Sequence, residues 1–177
     1  MAYLHDHRYT PITITQLVRT RSGSADLLPE RPVVLTFDDG FADFFTAALP
    51  ILWRHGFVAT LYVTTAYIGQ TSQWLKRERE TNRAMLTWDQ LREVCAGGVE
   101  CGGHTHLHPQ LDILAPALAR EEITQCKHIL EDQLAQEICS FAYPYGYQTA
   151  TTRRLVQDAG YLSACAVKHR LSTEADD

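Results

Sequence analysis

Two adjacent carboxylates, Asp38 and Asp39, close the apolar run Val33-Val34-Leu35 within Thr36-Phe37-Asp38-Asp39-Gly40. A strand that ends in paired acids gathers two negative charges at one tip. That is unfavourable unless a cation or a proton transfer uses them. Far along the chain lies a second polar cluster, His104-Thr105-His106-Leu107-His108-Pro109. Carboxylates and imidazoles together are metal-ligand chemistry. His104 and His108 are four residues apart, and a helical turn at that spacing puts both rings on one side. With one carboxylate they form a set of two nitrogens and one oxygen that suits zinc, and also divalent cobalt, nickel or iron. A metal so held lowers the pKa of bound water to about 7 and polarises a carbonyl oxygen. The second carboxylate is then free to take the water's proton. One Asp binds metal and the other is the base.

Plainer readings compete. Two Asp before a Gly also make an ordinary turn. A single His is usually structural or on the surface. Three within five residues, in a chain with eight, is what lifts this cluster above that reading. His5, His7, His55, His128 and His169 are scattered and read as bland.

The elements that must position these residues alternate between short apolar runs and helical stretches. Pro11 to Arg19 reads as a short strand running into a helix, and Val33 to Phe37 as a strand. Phe41 to His55 has helical spacing of Phe45, Leu49 and Leu52, with Pro50 bending it or sitting at the start of a second turn and Gly56 stopping it. Val58 to Thr64 is the next strand, and residues 66–84 form a polar surface excursion. Thr87-Trp88-Asp89-Gln90 is a capping box opening a helix to Ala96. A strand from Val99 to Gly103 delivers the histidines. Pro116 to Leu134 is a long amphipathic helix. Ile138 to Ala142 is a strand, Thr149 to Ala159 a helix, and Leu162 to Val167 a last strand. Strand and helix in alternation mean a parallel sheet, whose chemistry sits at the carboxyl ends of its strands. Asp38 and Asp39, the histidine cluster and the loop Tyr143-Pro144-Tyr145-Gly146 each fall at such an end.

The bulk numbers narrow the function. The chain has 177 residues, a net charge of −5 and 45% hydrophobic residues. Length and composition suit one soluble domain, residues 1–177, with its core over 33–167. No basic patch suggests nucleic acid. No apolar run reaches the ~20 residues of a membrane span. Met1 to Arg8 is too polar for a signal peptide. The chain as written is therefore expected in the cytoplasm, or outside it if a longer amino terminus exists. Five cysteines without a CxxC pair predict free buried thiols rather than a disulfide framework.

Thr36-Phe37-Asp38-Asp39-Gly40, then His104-Thr105 with His108-Pro109, then Pro144-Tyr145-Gly146, resembles the polysaccharide deacetylase family. That family is also called the NodB-homology domain or carbohydrate esterase family 4. The likeness runs from about Val33 to Val167. It implies a distorted (β/α) barrel and metal-dependent removal of acetyl from N-acetylated sugars in a glycan. It also implies roles: Asp38 as catalytic base, and Asp39, His104 and His108 as metal ligands. The backbone N–H of Tyr145, with Pro144 in the same loop, is implied to hold the oxyanion. His106 falls at a position the family leaves variable.

Three departures accompany the resemblance. Ala142 stands where the family often has an arginine paired with the catalytic Asp. No Asp-Trp motif follows Tyr145. The family's late histidine, its usual general acid, has no counterpart, and His169 lacks the surrounding apolar strand. About five clear strands are also too few to close a barrel of seven or eight. The expectation is a barrel incomplete at one or both ends, in a fragment or a trimmed reading frame. The competing readings are a catalytically impaired or inert glycan-binding domain, and an amidohydrolase using His104 and His106 as its metal pair. Tyr67, Trp74, Trp88, Tyr143 and Tyr147 are candidates for stacking on sugar rings or for core packing. The glycan itself is left open among chitin oligomers, peptidoglycan, poly-N-acetylglucosamine, xylan and lipid-linked sugars.

Overall fold

The computed structural model describes residues 1–23 and 27–167. The expectations for His169 and for a tail from Leu171 to Asp177 lie outside the described residues. A short helix, α1 (Ala2–Asp6), precedes strand β1 (Thr10–Ile12) and helix α2 (Ile14–Arg21). Sequence periodicity gives no hint of α1, which is one turn long and buries none of its side chains.

Val33 to Phe37, predicted as one strand, divides between two sheets. β2 (Pro32–Val34) pairs in parallel with β1, while β3 (Thr36–Phe37) pairs in parallel with β4 (Thr60–Val63). Leu35 is the switch point, its carbonyl accepting the Thr60 N–H at 2.9 Å. The main sheet runs β3-β4-β5-β6-β7, with β5 (Glu100–Gly103), β6 (Ser140–Ala142) and β7 (Ser163–Cys165) all parallel. With its helices it is a parallel half-barrel, an incomplete (β/α) barrel. Every residue of β4 is buried, which explains its unbroken apolar and threonine run instead of an alternating pattern.

The predicted helix from Phe41 to His55 is a wide π-helical turn over Phe44–Ala48 followed by α3 (Leu49–Arg54). Pro50 has no N–H for the Thr46 carbonyl, and its ring would crowd that oxygen in a regular helix. The wider turn relieves this, with Leu49 N–H donating five residues back to Phe44. Helix α4 (Trp88–Ala96) opens on the expected capping box, Thr87 and Gln90 each bonding the other's backbone. Helix α5 (Pro116–Leu134) buries Ala119, Ile123, Cys126 and Leu130 on its inner face. Helix α6 (Ala150–Asp158) is opened by a second such box, Thr149 with Thr152.

Gly102 and Gly103 let β5 lie close beneath the site. A Cβ on Gly102 would meet the Tyr62 ring at 2.5 Å, and one on Gly103 would collide with the Tyr161 hydroxyl. All five cysteines are free, Cys101, Cys126 and Cys139 buried and Cys95 and Cys165 half-buried. No helix among the described residues is long and apolar enough to cross a membrane.

Candidate metal centre

Asp38 and Asp39 follow β3, His104 follows β5, and Tyr143 to Gly146 follow β6, so all three polar clusters meet at one end of the sheet. Asp39 is turned into the site by a positive φ of 74°, followed by Gly40 at 85°. Its Oδ1 lies 3.4 Å from His104 Nε2 and 3.1 Å from His108 Nε2. The three ligand atoms fall within 4.8 Å of one another.

His104 and His108 meet for a different reason from the helical turn that their spacing suggests. Residues 104–108 form no helix. The loop doubles back through Thr105 and His108, whose φ values are 66° and 61°. Positive φ is unfavourable for a β-branched residue such as Thr. Thr105 Oγ1 offsets this locally, accepting the His108 N–H at 3.0 Å and donating to the His104 carbonyl at 2.5 Å. The chain outside the loop adds more. Thr64 Oγ1 donates to the His104 carbonyl at 3.2 Å, and Ala66 N–H to the His106 carbonyl at 2.9 Å.

His104 is buried, and its Nδ1 lies 2.8 Å from the Ala142 carbonyl. A carbonyl only accepts, so Nδ1 carries the proton and the Nε2 lone pair faces Asp39. This is the arrangement that metal-ligating imidazoles adopt. His108 is also buried, with its Nδ1 lacking a hydrogen-bond partner among the described residues. Two buried nitrogens and a carboxylate oxygen at these separations fit a divalent metal of the zinc, cobalt, nickel or iron type.

The two carboxylates are tuned in opposite directions. Burial pushes Asp39 up, but protonated His104 and His108, which would donate from Nε2 and carry charge, together outweigh it and hold its carboxyl far below the ordinary range; with neutral imidazoles the same place falls to a metal ion. Asp38 sits at the open lip. Desolvation by the surrounding protein still raises its carboxyl, His104 and His108 oppose the rise, and Asp39 adds to it. Ala142 is buried and brings no charge to Asp38, and its carbonyl orients His104.

Tyr145 has φ 61°, which turns the Pro144–Gly146 loop over the site and sets its ring edge-on to His108 at 4.9 Å. Trp74, from the 66–84 excursion, packs on His108 at 5.2 Å and on Tyr67 at 4.7 Å between ring centroids. A cleft of about 310 Å³ lined by Phe37, Asp38, Phe41 and Phe44 opens beside the pair of acids. Of the other aromatic candidates, Tyr143 is buried, Trp88 packs against the core and Tyr147 is exposed.

His106 does not join the cluster. Its Nδ1 is 2.9 Å from Thr65 Oγ1, and the three-residue ligand group excludes it. One participant had no signal in the sequence. Glu122 of α5 accepts the N–H groups of both His106 and Leu107. Nothing in the spacing from the histidines to position 122 marks it, because the contact depends on how α5 packs.

The polysaccharide deacetylase family profile matches residues 26–164, so the chain belongs to that family. It is 28% identical over 162 residues to YxkH of Bacillus subtilis (strain 168), named as a polysaccharide deacetylase, covering 91% of this chain and 53% of that protein. It is 32% identical over 108 residues to the poly-beta-1,6-N-acetyl-D-glucosamine N-deacetylase of Escherichia coli (strain K12), covering 59% of this chain and 16% of that one. The Streptococcus pyogenes deacetylase PplD, solved in complex with acetate, superimposes with a TM-score of 0.77 at 30% identity, over 90% of this chain and 66% of that one. The chain thus spans about half, or less, of the curated relatives' length.

Proposed function

We propose that the chain is the deacetylase domain of a metal-dependent enzyme that removes acetyl from N-acetylhexosamine units of a glycan. The convergence of Asp39, His104 and His108 beside a second carboxylate, Asp38, carries this reading. Asp39, His104 and His108 hold the divalent ion, for which zinc suits the donor set. When bound, the ion supplies a Lewis acid that acidifies water and polarises the acyl oxygen. Asp38 takes the proton from the attacking water. It stands exposed at the open lip beside the ligands, within reach of water, as a general base requires. The Tyr145 backbone, fixed by Pro144, faces the developing oxyanion. Breaking the amide C–N bond yields acetate and an amine. The amine needs one proton, and Asp38 holds the one it removed from water.

The relatives' names favour N-acetylglucosamine polymers as substrate. The test is acetate release from β-1,6-linked N-acetylglucosamine oligomers and from chitin oligomers by the zinc-loaded protein. Release from either, lost in Asp38→Asn, supports the reading. Metal uptake without release from either would favour the impaired, glycan-binding alternative, which the lack of a counterpart to the family's late histidine motivates.

A further inference from the structure

Glu122 has no part in the chemistry above, yet among the described residues it is the acidic side chain that holds the backbone of the loop carrying both histidines. Its Oε2 accepts the His106 N–H at 3.0 Å and the Leu107 N–H at 2.7 Å. Both amides lie between the two ligands. Among the described residues, no Lys, Arg or His side chain pairs with this half-buried carboxylate. The two loop amides are therefore its polar partners, and hydrogen bonds to an ionised acceptor are about twice as strong as neutral ones. The next residue, Ile123, is fully buried in the core, so α5 fixes where the Glu122 carboxylate stands.

The loop needs such an anchor. Thr105 and His108 both hold positive φ, each a conformation that persists only when its surroundings over-determine it. Thr105 Oγ1 ties the loop to itself, and Ala66 N–H ties the His106 carbonyl to the chain after β4. Glu122 ties the opposite polarity, the N–H groups, to α5. With the loop carbonyls held from one side and its amides from the other, His108 is kept at the distance from His104 that a shared ion requires.

We infer that Glu122 is a positioning residue for the metal centre: its carboxylate pre-forms the His104–His108 loop, so that the two imidazoles are set for the ion before it arrives. The inference rests on the metal reading above. Its test uses Co²⁺ as probe, titrated into chelator-stripped protein and read by its visible d–d absorption, with no substrate present. Glu122→Ala is expected to weaken Co²⁺ binding by roughly 10–100-fold, the range for groups that orient metal ligands. Glu122→Gln keeps an oxygen that can accept both N–H groups, and is expected to bind within about threefold of wild type. Should Glu122→Ala fold poorly, amide exchange of the metal-free wild type decides the matter. His106 and Leu107 N–H must be protected, and less so in Glu122→Gln. Unchanged Co²⁺ affinity in Glu122→Ala, equal losses in Ala and Gln, or unprotected amides would each overturn the inference while leaving the metal centre intact. A wild type that gives no Co²⁺ spectrum would overturn both.

Discussion

Glu100 and the Asp38-Asp39 pair stand at opposite ends of the same parallel sheet, and Glu100 and Asp38 each line a cleft of similar size. The cleft at Glu100 is about 300 Å³ and that at Asp38 about 310 Å³. Size and acidity do not separate them, but hydrogen bonding does. Glu100 Oε1 accepts from Thr15 Oγ1 at 3.0 Å and Ser140 Oγ at 2.6 Å, and its Oε2 accepts Thr15 N–H at 3.0 Å. Every contact is with a donor that needs an acceptor, and the result is a clamp holding α2 to the sheet. Asp39 instead faces two imidazole nitrogens, and His104 Nε2 presents a lone pair because the ring's proton sits on Nδ1, which donates to the Ala142 carbonyl. A carboxylate and a lone pair side by side call for a cation between them.

Backbone strain separates the two ends as well. Among the described non-glycine residues with positive φ, Asp39, Thr105, His108 and Tyr145 surround the site, and the others are Arg8, Arg79 and Ala135. None of these lies at the Glu100 clamp. The Glu100 carboxylate is satisfied in relaxed backbone, whereas His108 holds an unpartnered ring nitrogen in strained backbone. Such strain is a known companion of function.

Substitutions should break this contrast in a graded way. His104→Ala and His108→Ala each remove one of three ligands. They are expected to abolish stoichiometric metal binding, a loss of more than about 100-fold in affinity, read by chelator competition. Asp38→Asn should retain the ion and lose turnover by roughly 10²–10⁴-fold, the range for a general base. Full activity of that variant would contradict the division of labour between the two acids. Glu100→Ala should do the reverse. It is expected to cost about 2–3 kcal/mol of stability in denaturant unfolding, because Thr15 and Ser140 lose their acceptor, and to leave metal affinity unchanged.

Smaller effects sharpen the same point. The Asp38 carboxyl has a raised pKa, so its ionised form is disfavoured in the folded, metal-free protein. Asp38→Asn should therefore raise the melting temperature of the metal-free protein at neutral pH. The gain should vanish as pH falls through the Asp38 pKa, where the wild-type carboxyl is neutral too. In the metal-loaded protein the cation favours the ionised carboxylate, so rates should fall only at lower pH than the metal-free transition, since the base must be ionised. Least affected is His106→Ala, which loses the contact with Thr65, worth about 1 kcal/mol. Its metal affinity should remain close to wild type, against the alternative of a His104–His106 pair.

Much of this was legible in the chain. The order of strands and helices follows from apolar runs and from capping residues such as Thr87 with Gln90, because these signals are local. The grouping of Asp38, Asp39, His104 and His108 follows from their placement at strand ends. What escaped depends on contacts between distant segments. The break of one strand into β2 and β3 at Leu35 reflects a change of partner that no local pattern carries. The π-helical turn follows from Pro50, whose presence announces a distortion without specifying its form. The histidines converge through left-handed Thr105 and His108 instead of a helix, and the loop's anchors, Thr64, Ala66 and Glu122, come from segments 40 or fewer residues away in sequence with no motif of their own.

The most direct test of the contrast between the two ends is anomalous X-ray scattering from crystals of the chelator-stripped protein soaked in zinc. One zinc peak bonded to Asp39 Oδ1, His104 Nε2 and His108 Nε2, with none at Glu100, is the result this account predicts. A peak held by His106, or no peak between Asp39 and the two imidazoles, would contradict it.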